Sequence, residues 1–288
     1  MTQSELLADA EGREIISTDA AGDVRQTRQF ARQRAITEAV MAEGTIRIEQ
    51  LAERFDISVM TVHRDLDELE GRGLLRKSRG IATATSTSLV ESSDVYRSSR
   101  ELVEKEALAR CALEFVEPGQ ALMLDDSTTV LHLARRLPAK APLTVITNVL
   151  TIVNELRGVR GVNLLALGGQ YYNWCSAFMG GMTTQAIRGM RADTFIMSTS
   201  AIIDDVAFHQ TLETVDVKRA MFESAGRRIL LADHTKFEKS ALHALVPLSA
   251  FDLVIVDEAT PAEHVHRLRQ QGVDVVVAAE HDEERDET

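Results

Sequence analysis

Arg64 carries a planar fork of donors that can pair two-pronged with a guanine edge, and its neighbours Thr61 and His63 suit phosphates or several bases. These lie in the run Ser58-Val59-Met60-Thr61-Val62-His63-Arg64-Asp65-Leu66-Asp67-Glu68-Leu69. Val59 or Met60 can touch a thymine methyl group, and Asp65 reads as the acid of a solvated ion pair with Arg64. Arg72, Arg76, Lys77 and Arg79 then fall within eight residues without an acid, a set of groups for phosphate oxygens. A second chemistry is offered by Asp125-Asp126-Ser127-Thr128-Thr129, between an apolar run and a helical pattern that starts near Val130. Hydroxyls and unpaired amides at such a turn cradle an anion, with phosphate the natural guest. Thr147-Asn148 and Gly168-Gly169 end two further apolar runs, the glycines leaving room for backbone to approach a ligand. Asp233-His234-Thr235-Lys236 ends another and brings a cation to the same edge. Strand-to-helix turns use such residues as simple caps too, so it is their recurrence at four successive ends that points to a site.

The elements that must hold the first set are legible in the spacing. Thr45 to Phe55 reads as a helix with Leu51, Ala52 and Phe55 on one face. Ser58 is an N-cap for a second helix that turns Val62, Leu66 and Leu69 inward and leaves Met60, Thr61, His63, Arg64 and Asp67 outward, until Gly71 and Gly73 end it. Residues 24–42, with Phe30, Ile36, Ala39 and Val40, form a first helix beneath these two. With a short strand through Gly80-Ile81-Ala82, residues 45–84 read as a winged helix-turn-helix, whose second helix seats in the major groove of double-stranded DNA.

Beyond a Thr- and Ser-rich stretch from Thr83 to Ser93, a new domain starts near Arg97. Leu108, Cys111, Ala112 and Phe115 mark a helix stopped by Pro118-Gly119. Continuously apolar runs at 121–124, 143–147, 162–167, 194–199, 228–232, 253–256 and 273–277 then alternate with helical patterns. Such runs suit strands covered on both faces, so an α/β domain with a mostly parallel sheet follows, with ligands beyond the strands' carboxyl ends. The domain reading is an acidic disordered tail over 1–23, the winged helix over 24–84, a linker over 85–96, the α/β domain over 97–277 and a second acidic tail over 278–288.

The net charge of −12 is gathered at the ends: 1–23 and 278–288 each hold six acids against one base, whereas 24–90 hold eleven bases against nine acids. Phosphate contact depends on local bases, so the acidic total does not exclude DNA. No run of about eighteen apolar residues crosses a membrane, and the start of the chain lacks a secretory pattern. Cys111 and Cys175 have no metal-like spacing, which fits a reduced, cytoplasmic protein.

Residues 58–69, with Gly73-Leu74-Leu75-Arg76, resemble the DNA-binding signature of the DeoR family of bacterial regulators. Members usually carry a second Arg where His63 stands and Gly-Gly-Ala where this chain has Gly80-Ile81-Ala82. The later strand ends resemble the family's sensor domain, similar in fold to ribose-5-phosphate isomerase. The resemblance implies that Asp125, Ser127, Thr128, Thr129, Thr147, Asn148, Gly168, Gly169 and Lys236 bind the phosphate and hydroxyls of a phosphorylated sugar or related metabolite. Lys218 is implied either as a ligand residue or as a surface charge. Ser127 replaces a usual glycine, and Val206-Ala207-Phe208-His209 replaces a Gly- and Thr-rich stretch. The implied DNA-facing residues are Ser58, Met60, Thr61, His63, Arg64, Arg76, Lys77 and Arg79.

The expectation is a homo-oligomeric repressor of a carbohydrate operon, needing no cofactor or metal. One alternative is an active isomerase-like enzyme with Asp125, Asp126, Asp204, Asp205 or Glu213 as base, although a shared fold does not carry chemistry. Others are a regulator with a degenerate sensor and a winged helix that binds protein. His264 and His266, two apart on a helix, face apart, and His132, His209, His234 and His243 read as ordinary polar or packing residues. The Tyr171–Trp174 and Phe178–Met182 stretches read as packing or a subunit contact.

Overall fold

Ile36, Ala39 and Val40 turn one side of a long helix into an apolar stripe, and that stripe seats the N-terminal unit. The structure is a computed structural model that describes residues 19–84 and 93–280, without the side chains of 19–27, 30, 42 and 95. The expected tails, the first part of the expected linker and the packing of Phe30 therefore lie largely outside the described residues. Helix α1 spans Asp19–Glu43, so it begins inside the stretch expected as a tail. Strand β1 (Thr45–Arg47) leads into α2 (Ile48–Arg54) and α3 (Val59–Gly71), followed by the hairpin β2 (Leu75–Ser78) and β3 (Ile81–Ala84).

The helix expected from Thr45 thus starts at Ile48. Thr45 to Arg47 pair antiparallel with β3, which puts Thr83, the first residue of the Thr- and Ser-rich stretch, in a strand. With Ile46 its only inward residue, so short a strand carries no periodicity to read. Leu51, Val62, Leu66 and Leu69 are buried as their spacing predicts, with Ile46, Ile48, Leu74, Leu75 and Ala82 closing the core.

Ser93 caps a short helix, α4 (Asp94–Arg97), that opens the larger unit. Helix α5 (Leu102–Leu113) ends before Phe115, short of the Pro118-Gly119 stop. There follow β4 (Ala121–Leu124), α6 (Thr128–Arg136), β5 (Leu143–Thr147), α7 (Leu150–Leu156) and β6 (Val162–Ala166). A hairpin of β7 (Gln170–Tyr172) and β8 (Ala177–Met179) precedes α8 (Gly181–Arg188) and β9 (Ala192–Ser198). Then come β10 (Ala201–Ile203), β11 (Val206–His209), α9 (Leu212–Glu223), β12 (Ala225–Ala232) and β13 (His243–Pro247). The described chain finishes with β14 (Leu253–Asp257), α10 (Ala262–Gln270) and β15 (Val275–Ala278).

The seven apolar runs are the seven strands of one sheet, ordered β15-β14-β12-β9-β4-β5-β6. Every neighbouring pair is parallel. All five residues of β14 are buried, as a strand covered on both faces requires. From β4 the chain builds outward through β5 and β6, then returns to place β9 on β4's other side. The strand order therefore reverses between β4 and β9, and the crevice beyond their carboxyl ends is where such a sheet receives ligands. Short antiparallel pieces, the β7–β8 hairpin and the β10-β11-β13 sheet, were not legible as runs. The aromatic and methionine stretches expected as packing form that hairpin, with the Tyr171 and Phe178 rings 5.2 Å apart across it.

Candidate functional site

Helix α3 presents two faces, as its spacing requires. Ser58 caps it, accepting the Thr61 N–H at 3.1 Å, and the two hydroxyls meet at 2.8 Å. Met60 is 70 % exposed and Arg64 is exposed, with Thr61 and His63 half-buried. Asp65 is not a solvated partner of Arg64. It is 0 % exposed and accepts Arg32 Nε at 2.5 Å and Nη2 at 3.0 Å from α1. One helical step apart, the two residues point to different faces, so adjacency in sequence does not make a pair. Glu68 extends the same seam, accepting Gln29 at 2.8 Å and Gln33 at 2.6 Å.

The hairpin tip is Arg79-Gly80, with φ of 48° and 78°. Two positive φ values make a type I′ turn, whose twist matches the strands on either side. The second position suits glycine, and Ile81 already belongs to β3. Of the four bases in the run, Lys77 pairs with Asp67 and Arg72 with Glu68, both acids of α3. Arg76 and Arg79 are exposed with no acid partner among the described residues.

At the switch point of the large sheet lies a cavity that opens to solvent. Ser127, Thr128 and Thr129 form one wall, Ser198, Thr199 and Ser200 another, with His209, Gln210, Ser240, Tyr96 and one acid, Glu101, around them. Six cations reach it: Arg97, Arg100, Lys105, Lys218, Lys236 and Lys239. Ser127 caps α6 by accepting the Val130 N–H at 3.1 Å, leaving the first-turn amides of Thr128 and Thr129 without an acceptor inside the helix. A helix N-terminus ringed by cations is an anion site.

Lys218 is not a surface charge: it is buried at 1 % exposure, at the wall of the cavity. Its Nζ lies 2.6 Å from Asp125 Oδ2, 3.0 Å from Asp126 Oδ1 and 3.0 Å from the Ser198 carbonyl. Asp125 also accepts the Ser127 N–H at 3.0 Å and the Ser198 N–H at 2.9 Å. Its carboxylate thus ties β4 to β9 and does not line the cavity, so it frames the loop where ligand contact was expected. Burial alone would raise the Asp126 carboxyl, but Lys218 and Arg97 hold it well below the usual range. Lys105 Nζ donates to the carbonyls of Arg97 and Arg100. Burial, with the Lys236 ammonium beside it, brings Lys105 down to about 7. Burial likewise lowers Lys236, whose Nζ is 3.2 Å from Asp233.

Four expected ligand residues are elsewhere. Thr147 Oγ1 donates to the Leu124 carbonyl at 2.9 Å, and Asn148 Nδ2 to that of Phe178 at 2.7 Å. The Gly168 carbonyl accepts Thr183 Oγ1 at 2.8 Å. A side chain on Gly169 would meet that Oγ1 at 2.1 Å, so the glycine is required by packing. These residues seat the β7–β8 hairpin and α8, because β5 and β6 lie on the far side of β4 from β9. Sequence reasoning missed Arg97, Arg100, Lys105, Ser200, Gln210 and Lys239, and took His209 for an ordinary polar residue. Arg97 and Arg100 were legible only as basic residues at a domain start, and the recess they enter is made by strands far along the chain.

Asp204-Asp205, read as a turn between strand and helix, turns β10 into β11 with φ of 50° and 59°. Asp205 is held by Arg267 at 2.7 Å. Glu104, His234 and Asp257 bring metal-ligand atoms within 4.8 Å of one another. Asp257, however, already accepts the His234 N–H at 2.8 Å and Thr260 Oγ1 at 2.7 Å, with His234 Nδ1 at 2.6 Å. The trio has the bonding of a strut under the Asp233–Lys236 turn. No helix among the described residues is long and apolar enough to cross a membrane.

Residues 32–88 match the family described as the DeoR-like helix-turn-helix domain, and residues 100–258 the DeoR C terminal sensor domain. The chain is 30% identical to a putative aga operon transcriptional repressor of Escherichia coli O157:H7, over 92% of this chain and 99% of that one. It is 29% identical to the lactose phosphotransferase system repressor of Lactococcus lactis subsp. lactis, over 82% of this chain and 93% of that one. Among solved structures it is similar to ribose 5-phosphate isomerase A of Methanocaldococcus jannaschii, with 13% identity and a TM-score of 0.34 over 46% of this chain and 53% of that one. That likeness is too loose to argue from.

Proposed function

The chain belongs to the DeoR family of transcriptional regulators, and from that premise we propose that it represses a carbohydrate-utilisation operon under the control of a phosphorylated sugar. Residues 24–84 are the DNA-binding part and 97–277 the sensing part. Arg64 reads a base, with Met60, Thr61 and His63 beside it, while Arg76 on β2 and Arg79 at the wing tip hold phosphates. Ser58 acts chiefly as a cap, and Lys77 contributes less than a free lysine because Asp67 already holds it. A homodimer places two such helices on half-sites about 34–36 Å apart or a multiple of that.

The observation that carries the sensing role is the gathering of six cations around the first turn of α6. A phosphate monoester, with nearly two negative charges and three acceptor oxygens, matches those amides and ammonium groups. Ser127, Thr128, Thr129, Lys105 and Lys236 are its contacts, whereas Asp125 and Lys218 shape the loop.

Screening phosphorylated sugars by thermal shift, then testing the hits for release of the protein from its own promoter, examines both halves together. A ligand at about a hundred times its Kd stabilises by about 2.7 kcal/mol, a readily measured shift. Stabilisation without a change in promoter affinity would separate the ligand site from regulation. No stabilisation by any phosphate ester would remove the site.

A further inference from the structure

His209 ends β11 with its imidazole between the cavity and a small adjoining recess formed with Arg97, Asp126, Trp174, Thr211 and Thr214. It is 5 % exposed. Its Nδ1 is 3.1 Å from Ser200 Oγ, the Ser198 backbone lies close enough to the ring to act on its charge, and its Nε2 is buried with no hydrogen bond of good geometry. Buried polar atoms in folded proteins are nearly always paired, so a side chain orphaned at a cavity wall marks a place where a partner is missing.

The charges around the cavity are unequal at its two ends. Lys236 acts on both Lys105 and Lys239, with Asp233 facing Lys236 and Glu101 near Lys105 as the acids of that end, so three ammonium groups stand against two carboxylates. The His209 end is balanced, because Lys218 and Arg97 stand against Asp125 and Asp126. An anionic group belongs at the first end and an uncharged polar one at the second. Burial, with the Lys218 ammonium nearby, holds the imidazole well below its ordinary value, so the ring is neutral with one donor and one acceptor nitrogen. Ser200 Oγ can satisfy Nδ1 in either tautomer, which leaves Nε2 as acceptor or donor accordingly. A hydroxyl fits both.

We infer that His209 reads the hydroxylated end of the ligand: a polyol phosphate lies with its phosphate at the α6 first turn, Lys105 and Lys236, and a hydroxyl hydrogen-bonded to His209 Nε2. This rests on the effector reading above and adds the orientation and the specificity residue.

The test uses the full chain and compares titrations of methyl phosphate, which has no carbon-borne hydroxyl, with those of ribose 5-phosphate, glucose 6-phosphate, fructose 6-phosphate and mannose 6-phosphate. The wild type should favour at least one polyol phosphate over methyl phosphate by about tenfold or more. His209→Phe should cut that preference about tenfold, and His209→Gln, which retains polar atoms, should keep part of it. If the Phe ring distorts β11, His209→Asn reads the same ratio. An unchanged ratio in the variants overturns the assignment, as does a wild type that binds methyl phosphate and the polyol phosphates equally well. A wild type that binds none of the five removes the effector site itself, and this assignment with it.

Discussion

Lys105 has no carboxylate at hydrogen-bonding distance among the described residues, and its ammonium is held by two carbonyls. Burial and Lys236 lower it from 10.5 to about 7. In the unfolded chain it keeps its proton to about 10.4, so between those values the folded state binds fewer protons and its contribution to stability improves as pH rises. Anion binding works the other way, since a bound phosphate favours the charged ammonium. Affinity for a phosphate ester should therefore fall as pH rises from about 7 to 9, by at most about tenfold per unit, a window above the second ionisation of phosphate near 6. Calorimetric titration across that window would show it together with proton uptake, and a flat profile would count against Lys105 as a contact. Ser127 to Thr129 were legible in the sequence because a cap and its hydroxyls are local chemistry. The partners of Asp125 were not legible for a long-range reason: the amide of Ser198 and the ammonium of Lys218 arrive from elements some seventy and ninety residues later.

At the scale of elements, the work of binding DNA is divided, on the proposed reading, between α3 and the β2–β3 hairpin. Arg64→Ala should lower operator affinity by about 1–3 kcal/mol and relax preference at one base pair. Arg76→Ala and Arg79→Ala should weaken binding to every duplex and each reduce the salt slope by about one. Lys77→Ala should change the slope less, its charge being already offset by Asp67. Fluorescence anisotropy with promoter and random duplexes over a range of salt separates these outcomes, and equal slope changes for Lys77 and Arg76 would refute the distinction. The longer helices were legible because each repeats its pattern over about two turns or more, which the four-residue α4 cannot do. Strands β1, β7, β8 and β10 have three residues each, too few for alternation to stand out, and they hold only in the pairing that the folded chain brings about.

Across the whole molecule, the segment that opens the larger unit joins the two sites. Arg97 and Arg100 line the cavity, and between them Ser99 Oγ donates to Glu38 Oε1 of α1 at 3.0 Å. Further along α1, Arg32 and Gln33 hold Asp65 and Glu68 of α3. A ligand that moves Arg97 or Arg100 can thus bias the placement of α1 and with it the recognition helix. Ser99→Ala should leave operator affinity without ligand within about twofold while lowering the ligand-induced change, out of a typical coupling of about 1–3 kcal/mol. Anisotropy titrations with and without effector measure it, and an undiminished response would place the coupling elsewhere. The sequence by itself determined the winged helix, its outward face and the seven apolar strands, since each follows from contacts within a few residues or from a single hydrophobic run. Only the tertiary structure decided the strand order, and so the reversal between β4 and β9 that opens the cavity. The same order buried Lys218 between two carboxylates, kept Thr147, Asn148, Gly168 and Gly169 out of the cavity lining and left His209 at its wall, because burial and pairing depend on which distant segments become neighbours.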